Sequence, residues 1–433
     1  MKQMYIIYTT AYVLIFLMTS IYASAQENFR TEILRDDIKS LEVKVNGTLI
    51  STPYIELDGE NLLEITFDAL HRSGGRFAYS VIHCDADWKK SALIPIEYMR
   101  GFQHVTIEDF ANSISTTTHY TNYKLLLPNE DTQFMVSGNY AIQVYEEDSP
   151  DRIVFTACFS VVEPLIEIDA SISGNTDIDF NKEHQQVEFT INKKDLVINH
   201  PQTDLKIFVS QNNNHNDVRT NLQPMAIINK QLQYRHNRDL IFEAGNEFRR
   251  IEFLTHRYEG MGVEEISFHS PYYHVTLVQE RLRANRSYLY DQDQNGRFFV
   301  RCSGCEDPDT EGDYYIVHFS LASEFMTDGN VHISGDLFNN IIDNKSLMEY
   351  NIEARAYEKS VMLKTGLYNY QYVFVEDGES KTSSGRTEGN FFETENEYTI
   401  AVYFRPIGER YDRLIGVKNI SSKHGLIQPG SRR

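Results

Sequence analysis

The chain has 433 residues, with 62 acidic against 41 basic side chains and a net charge of -21 at pH 7. That length is too great for one hydrophobic core and implies about two to four domains. The negative charge is spread along the chain, which argues against nucleic acid or anionic membrane as partners, since both need clustered Lys and Arg; it fits solubility or a basic protein partner. Aromatic residues are abundant, with 27 Tyr and 25 Phe, which suits β-sheets, and helical periodicity is scarce.

Residues 1–25 read as a signal peptide: Lys2 supplies the positive start, an apolar run follows from Tyr5 to Ile21, and Ala23-Ser24-Ala25 has the small-x-small form of a cleavage site. No Cys follows it to carry a lipid, and no later segment is long and apolar enough to span a bilayer as a helix. The mature protein is expected to begin near Gln26, exported and soluble.

The first expected domain is 26–164. Val45-Asn46-Gly47-Thr48 is an Asn-Gly hairpin turn, and Leu63, Ile65 and Phe67 share one strand face. From Phe77 the alternation Phe77, Tyr79, Val81, His83 against Ala78, Ser80, Ile82, Cys84 predicts a strand. Both its faces are apolar, so it is expected to be central and covered. It leaves through Asp85-Ala86-Asp87 into Trp88, the only tryptophan, and a long excursion through Tyr98 and Phe102. The domain closes with a hairpin, one strand carrying Tyr140, Ile142 and Val144, an acidic turn with Pro150, and a second strand. Many immunoglobulin-like sandwiches close this way.

The second expected domain is 165–308, with strand faces at Val187, Phe189, Ile191, at Leu205, Ile207, Val209, and at Tyr273, Val275, Leu277. A polar loop covers Gln211 to Asn216. Ser287 to Cys302 reads as strand, turn at Asn295-Gly296, strand. The third is 309–420: Tyr315, Val317 and Phe319 share a face, as do Val331 and Ile333. Tyr368, Tyr370, Tyr372 and Phe374 form a dense aromatic stripe, and Tyr398, Ile400, Val402 and Phe404 make the last strong strand. Residues 421–433, with Lys423, Arg432 and Arg433, read as a mobile tail. The expected fold is all-β, three consecutive immunoglobulin-like or early-set β-sandwich domains after a signal peptide.

Candidate chemistry is sparse. Cys84 and Cys158 lie in predicted strands and are either an inter-sheet bridge or two buried thiols; Cys158, on the face opposite Phe155, Phe159 and Val161, favours thiols. Cys302-Ser303-Gly304-Cys305 lacks the second ligand pair of a zinc ribbon and the βαβ setting of a redox motif, so a local disulfide closing a linker turn is expected. Asp291, Asp293 and Asn295 match the front half of a calcium loop, but Cys302 stands where the bidentate Glu belongs and the flanks read as strands; a polar hairpin turn is the better reading. His83, Asp85 and Asp87 alternate onto one face, without a nucleophile or oxyanion element beside them. No GxSxG, HExxH or P-loop occurs, so no catalysis and no cofactor is expected. Gly335-Asp336-Leu337-Phe338-Asn339-Asn340, followed by the aromatic stripe, resembles the glycogen-binding type of early-set sandwich. Without a Trp there it supports the fold more than sugar binding, and a glycan-binding module through the third domain is the alternative reading.

IHCDADW, EYMRGF, LLLPNEDTQFMVSGNYAIQVYE, GNEFRRIEF, SPYYHVTL, DPDTEGDYYIVHF, GLYNYQYVFV and ENEYTIAVYFRPIGERYDRLIGV, in this order from Ile82 to Val417, together resemble the type IX secretion system plug protein family of Bacteroidetes. The Cys302–Cys305 pair and its polar surroundings depart from that family's pattern. The resemblance implies an exported, periplasmic, non-enzymatic protein that docks at the periplasmic mouth of the giant outer-membrane β-barrel translocon and limits leakage while no cargo shuttle is bound. Membrane contact is then only through the barrel, with no small-molecule substrate. The Trp88–Phe102 excursion and the segment Arg405 to Tyr411 are the first candidates for the docking surface, with Trp88, Tyr98, Phe102, Arg410, Tyr411 and Arg413 as its residues. Intradomain packing is the competing reading for both.

Overall fold

In the first unit, alternation of apolar and polar residues builds two facing antiparallel sheets. One orders Ile38–Val45, Leu63–Ala69, Thr121–Leu127 and Asp109–Asn112. The other orders Glu32–Ile33, Ile153–Val162, Gly138–Glu146, Phe77–Cys84 and Val105–Thr106, with Tyr54–Glu56 running parallel beside Ile153–Val162. The structure is a computed structural model and describes residues 28–48, 52–70, 75–379 and 381–422. The expected signal peptide and the tail from 423 onward lie outside the described residues. Phe67, Tyr123, Phe77 and Phe155 meet at the centre of the sandwich, the first two stacked with ring centroids 5.0 Å apart.

The strand Phe77–Cys84 forms as expected but is second from its sheet edge. Its outer side is covered by Val105–Thr106 and, beyond that, by the Gln103 side chain. The Gln103 amide accepts from the Val81 N–H at 2.8 Å and donates to the Val81 carbonyl at 2.9 Å, standing in for a neighbouring strand. The Asn-Gly turn also forms, with Asn46 at φ 51° and Gly47 at φ 62°. It does not join a hairpin, because Ile38–Val45 pairs with Leu63–Ala69 instead.

The pairing of the remaining strands departs from the boundaries 165–308 and 309–420. Glu167–Ser173, His184–Asn192, Gln231–Tyr234 and Ala226–Ile228 form one sheet of the middle unit. Its second sheet is Leu205–Gln211 paired with Glu397–Phe404, which pairs in turn with Arg413–Ser421. The strand read as the end of the third domain thus completes the middle one. Tyr398, Ile400, Val402 and Phe404 enter the same core as Val187, Phe189, Ile191 and Ile207.

The third unit is inserted between these halves. Gly366–Glu376 runs through one of its sheets, flanked by Arg249–Phe253, Phe298–Val300 and Gly329–Ser334. The facing sheet orders Val263–His269, Tyr272–Leu277, Tyr314–Ala322, Ala356–Lys364 and Glu349–Asn351. Tyr273, Val275 and Leu277 therefore belong to this unit. Of the strand pair expected around Asn295-Gly296 only Phe298–Val300 forms; residues 287–297 hold no strand. Tyr368, Tyr370, Tyr372 and Phe374 are at most 2 % exposed and lie in the inserted unit's core, so they offer no ring face on which a sugar stacks. That removes the platform on which the glycan-binding reading rested.

Among the described residues helix is confined to short turns. Pro95–Tyr98, Pro201–Asp204 and Pro308–Glu311 each begin on a proline, the position where its missing N–H is not needed. No helix among the described residues is long and apolar enough to cross a membrane.

Candidate docking site

At one end of the first unit the chain leaves the core strand and makes a small exposed tip. Pro95 starts the short helix, and the Glu97 carboxylate accepts from the Ile94 N–H at 2.9 Å. Tyr98 is buried and donates its hydroxyl to the Val81 carbonyl at 2.8 Å. Met99–Gly101 then pairs with Thr132–Phe134. Gly101 sits at φ 121°, and a Cβ there would lie 1.9 Å from the Asp131 carbonyl oxygen, so this approach requires glycine. The anchoring residues face inward, which leaves Ile94, Ile96, Phe102 and Met135 outside, at 57 %, 77 %, 68 % and 47 % exposure.

The loop after Glu397–Phe404 abuts this tip. The Arg410 guanidinium donates to Glu97 at 2.6 Å, across 313 positions of sequence, and to the Ala92 carbonyl at 2.6 Å. The Ile94 N–H and Arg410 hold the Glu97 carboxyl below its ordinary range. Ile407, 91 % exposed, stands in the same loop. The two segments singled out in the sequence therefore meet.

The six residues expected at a docking surface separate into two groups. Phe102 and Arg410 lie on the surface. Tyr98 is core. Trp88 is half-buried, at φ 61°, and covers Cys84, Ala141 and Cys158 on the outer face of the sheet. Tyr411 packs edge-on against the His83 ring and the first core, and Arg413 pairs with Glu163 at 2.6 Å. Ile94, Ile96, Met135 and Ile407 were missed in the sequence. Leu93-Ile94-Pro95-Ile96 is an apolar run broken by proline and without strand or helix period, and that was the available signal.

Behind the tip, three junctions brace the units against one another. Between the first and middle units, Asp412 is fully buried and accepts from the Ala86 N–H at 3.0 Å and Lys206 at 2.8 Å. Its own N–H donates to Asp85, which also pairs with Arg405 at 3.2 Å. Between the first and inserted units, Asp68 and Lys364 form an ion pair at 2.6 Å with side chains 0 % and 1 % exposed. Tyr314 and Asn122 donate to the same carboxylate at 2.6 and 2.8 Å. Burial pushes the Asp68 carboxyl up, against the opposing pull of Lys364 and these donors. Between the middle and inserted units, Arg297 pairs with Glu397 at 2.6 Å and the Ser383 hydroxyl donates to Glu243 at 2.8 Å; within the inserted unit, where the chain turns back towards Glu397–Phe404, the buried Glu388 carboxylate takes Arg249 at 2.9 Å, Arg283 at 2.6 Å and the Tyr372 N–H at 2.9 Å.

The residues considered for chemistry hold structural positions. Burial pushes His83 down to about 4, and its ring nitrogens meet Ser91 Oγ at 2.8 Å and the Ser137 carbonyl at 3.2 Å. Asp87 pairs with Lys89 instead of joining it. Cys84 and Cys158 are free, buried and on the same sheet, on strands either side of Gly138–Glu146. Two strand spacings, about 10 Å, exceed what a disulfide spans, so the inter-sheet bridge does not form. Cys302 and Cys305 are joined, with Cα atoms 5.8 Å apart; the bridge lies inside the inserted unit, not in a linker. Asp291 pairs with Arg250, Asp293 accepts from the Phe248 and Asn295 N–H groups, and Asn295 takes the positive φ of the turn. These carboxylates are already engaged. Among the described residues no three His, Cys, Asp or Glu side chains are disposed to hold a metal ion.

The described residues thus build an all-β protein of three mutually braced units, with Ile94, Ile96, Phe102 and Met135 exposed on the first. Residues 38–163 match the family model described as the type 9 secretion system plug protein first domain. A solved structure, that of a hypothetical protein from Parabacteroides merdae ATCC 43184, is 60 % identical, with a TM-score of 0.91 over 92 % of this chain and 100 % of that one. No curated protein matches significantly. Residues 38–163 are thereby a type 9 secretion system plug protein first domain, and that membership supports a role for the chain in type IX secretion.

Proposed function

We propose that the chain is a non-catalytic plug. It sits in the periplasm on the opening of the outer-membrane β-barrel translocon of type IX secretion and closes it while no cargo shuttle is bound. It uses no cofactor, metal or small-molecule substrate for this, and meets the membrane only through the barrel. The observation that carries this reading is the mutual bracing of the three units. A body that obstructs a wide pore must resist deformation, and ion pairs at Lys206–Asp412, Asp68–Lys364 and Arg297–Glu397, with the Ala86 N–H on Asp412, tie each unit to the other two.

The tip formed by Ile94, Ile96, Phe102, Met135 and Ile407 is the docking face in this proposal. Clustered exposed apolar side chains with a polar surround mark association surfaces, and Arg100, Glu130 and Asp131 are exposed around it. Phe102 and Arg410 remain contact residues; Tyr98 and Tyr411 pack into the core beneath the tip, whereas Trp88 covers the outer sheet face and Arg413 pairs with Glu163. The net charge of -21 steers the body towards a basic rim, so association weakens as salt is raised.

The test is retention of outer-membrane proteins by the tagged chain, beside an Ile96→Asp/Phe102→Asp variant. The proposal expects one very large barrel protein to be retained by the natural chain and lost by the variant. Retention of no barrel overturns the plug reading; equal retention by the variant overturns the tip as the docking face.

A further inference from the structure

The chain passes between the middle and inserted units twice, outward through 244–248 after Ile241–Glu243 and back through 384–396 before Glu397–Phe404. The two passages lie side by side. The Phe391 N–H donates to the Gly245 carbonyl at 2.9 Å, and the Asn246 amide donates to the Glu388 carbonyl at 2.8 Å. The Glu247 side chain stands between them, 1 % exposed. Its Oε1 meets the Tyr288 hydroxyl at 2.5 Å and accepts from the Glu395 N–H at 3.0 Å. Its Oε2 is buried without a partner. The same Tyr288 hydroxyl lies 3.3 Å from the Glu393 carbonyl, so its single proton can serve either the carboxylate or that backbone oxygen.

The Glu247 carboxylate is short of compensating charge. Asp293 and Glu395 both oppose its ionisation. Asp293 is held by the Phe248 and Asn295 N–H groups, with Asp291 beyond it paired to Arg250. Tyr290 faces the Glu395 carboxylate at 3.5 Å, and Glu393 is exposed. The Arg283 guanidinium reaches the backbone carbonyl of Glu247 at 2.6 Å and otherwise engages Glu388, as Arg249 does. Burial, reinforced by the neighbouring carboxylates, pushes Glu247 up to about 7 against the pull of Tyr288 and the Glu395 N–H. Burial likewise pushes Asp293 up to about 6.

We infer that Glu247 is a proton-operated latch that fastens the return passage of the inserted unit to its outward one. In the protonated state Glu247 Oε1–H donates to the Tyr288 oxygen, and the Tyr288 proton turns to the Glu393 carbonyl. Together with the Glu395 N–H on Glu247, two bonds then hold residues 393–395. In the ionised state Tyr288 donates to Glu247 and the Glu393 carbonyl is released. The charge is then left buried beside Asp293, a costly arrangement. The latch is closed at acid pH and slack above neutrality. The folded value lies above the unfolded carboxylate value of about 4.3. Its stabilisation is therefore complete below that value and is lost as pH rises through about 7. Whether or not the chain closes a barrel, the latch sets how firmly the inserted unit is held on the middle one.

The test is hydrogen exchange of the full chain, read by mass spectrometry at about pH 5.5 and 8.5 and corrected for the intrinsic pH dependence of exchange. Peptides covering 244–248 and 389–396 are expected to open at least about tenfold more at the higher pH. The strand Gly138–Glu146 of the first unit is expected to stay unchanged, which separates latch opening from loss of the whole fold. Glu247→Gln, neutral at every pH, is expected to remove the contrast. Tyr288→Phe deletes the relay to Glu393 and is expected to raise exchange at pH 5.5 about fivefold, the worth of one hydrogen bond. Circular dichroism confirms that each variant is folded. Protection of both passages that changes less than about twofold with pH in the natural chain, or an equal contrast in Glu247→Gln, overturns the inference.

Discussion

Replacing Lys364 by Met tests the bracing between the first and inserted units. The Asp68–Lys364 pair is 2.6 Å long with side chains 0 % and 1 % exposed. At an effective dielectric of about 20, unit charges at that separation attract by about 6 kcal/mol, most of which offsets the desolvation of both groups. Met fills the volume of the lysine stem but leaves the Asp68 carboxylate buried with only Tyr314 and Asn122 donating to it. The expected loss is about 3–5 kcal/mol at neutral pH, read by urea denaturation. The fluorescence of Trp88, the only tryptophan, reports the first unit, and circular dichroism reports the rest. Burial already raises the Asp68 carboxyl above its ordinary value, and loss of the ammonium raises it further. The folded variant then binds a proton more tightly than the unfolded chain, so its stability falls as pH rises above about 4 and the deficit shrinks on acidification. Adding Asp68→Asn removes the stranded charge and is expected to restore at least half of the loss. A deficit below about 1 kcal/mol, the range of an exposed pair, with no pH dependence, would refute the dry junction.

Glu388→Gln is expected to cost about 3 kcal/mol at neutral pH. Burial alone opposes ionisation of Glu388, yet Arg249, Arg283 and the Tyr372 N–H hold its carboxyl below the ordinary range. Its stabilisation is thus present above the unfolded value and lost as pH falls through the folded one, and the gap to the natural chain closes below about pH 4 in a pH-resolved denaturation series. Asp412→Asn weakens the partners at the first–middle junction and is expected to cost about 1–3 kcal/mol, with faster hydrogen exchange at the Ala86 amide. Cys84, pushed up to about 12 by burial, and Cys158, pushed well above its ordinary value, stay protonated in the fold. A thiol reagent at pH 8 is expected to label neither in the native chain and both after unfolding without reductant.

Strand faces were legible because alternation reports which side chains turn inward: Phe77–Cys84, Gly138–Glu146 and the aromatic stripe at Tyr368–Phe374 all follow it. Strand partners were not. Tyr398, Ile400, Val402 and Phe404 carry the same pattern whether they pair with a neighbour in sequence or with Leu205–Gln211 almost 200 positions earlier, so the insertion of one sandwich within another left no periodic trace. The strand expected before Asn295-Gly296 failed for a related reason: its polar side chains, Asp293 among them, bond to Phe248 and the turn instead of a ladder. The docking segments were found as chain excursions, but their inward and outward residues were mixed. Trp88 and Tyr98 look like interface aromatics until the strand beneath them is in place, whereas Ile94 and Ile96 lack any pattern beyond hydrophobicity beside a proline.

Uptake of a membrane-impermeant dye by cells that assemble the type IX translocon decides whether this body closes the barrel. Deleting the chain is predicted to raise uptake, and the natural chain, but not the Ile96→Asp/Phe102→Asp variant expressed at equal level, is predicted to restore the barrier. Deleting the barrel as well is predicted to abolish the leak. Uptake unchanged by loss of the chain while the translocon is present would contradict the plug reading.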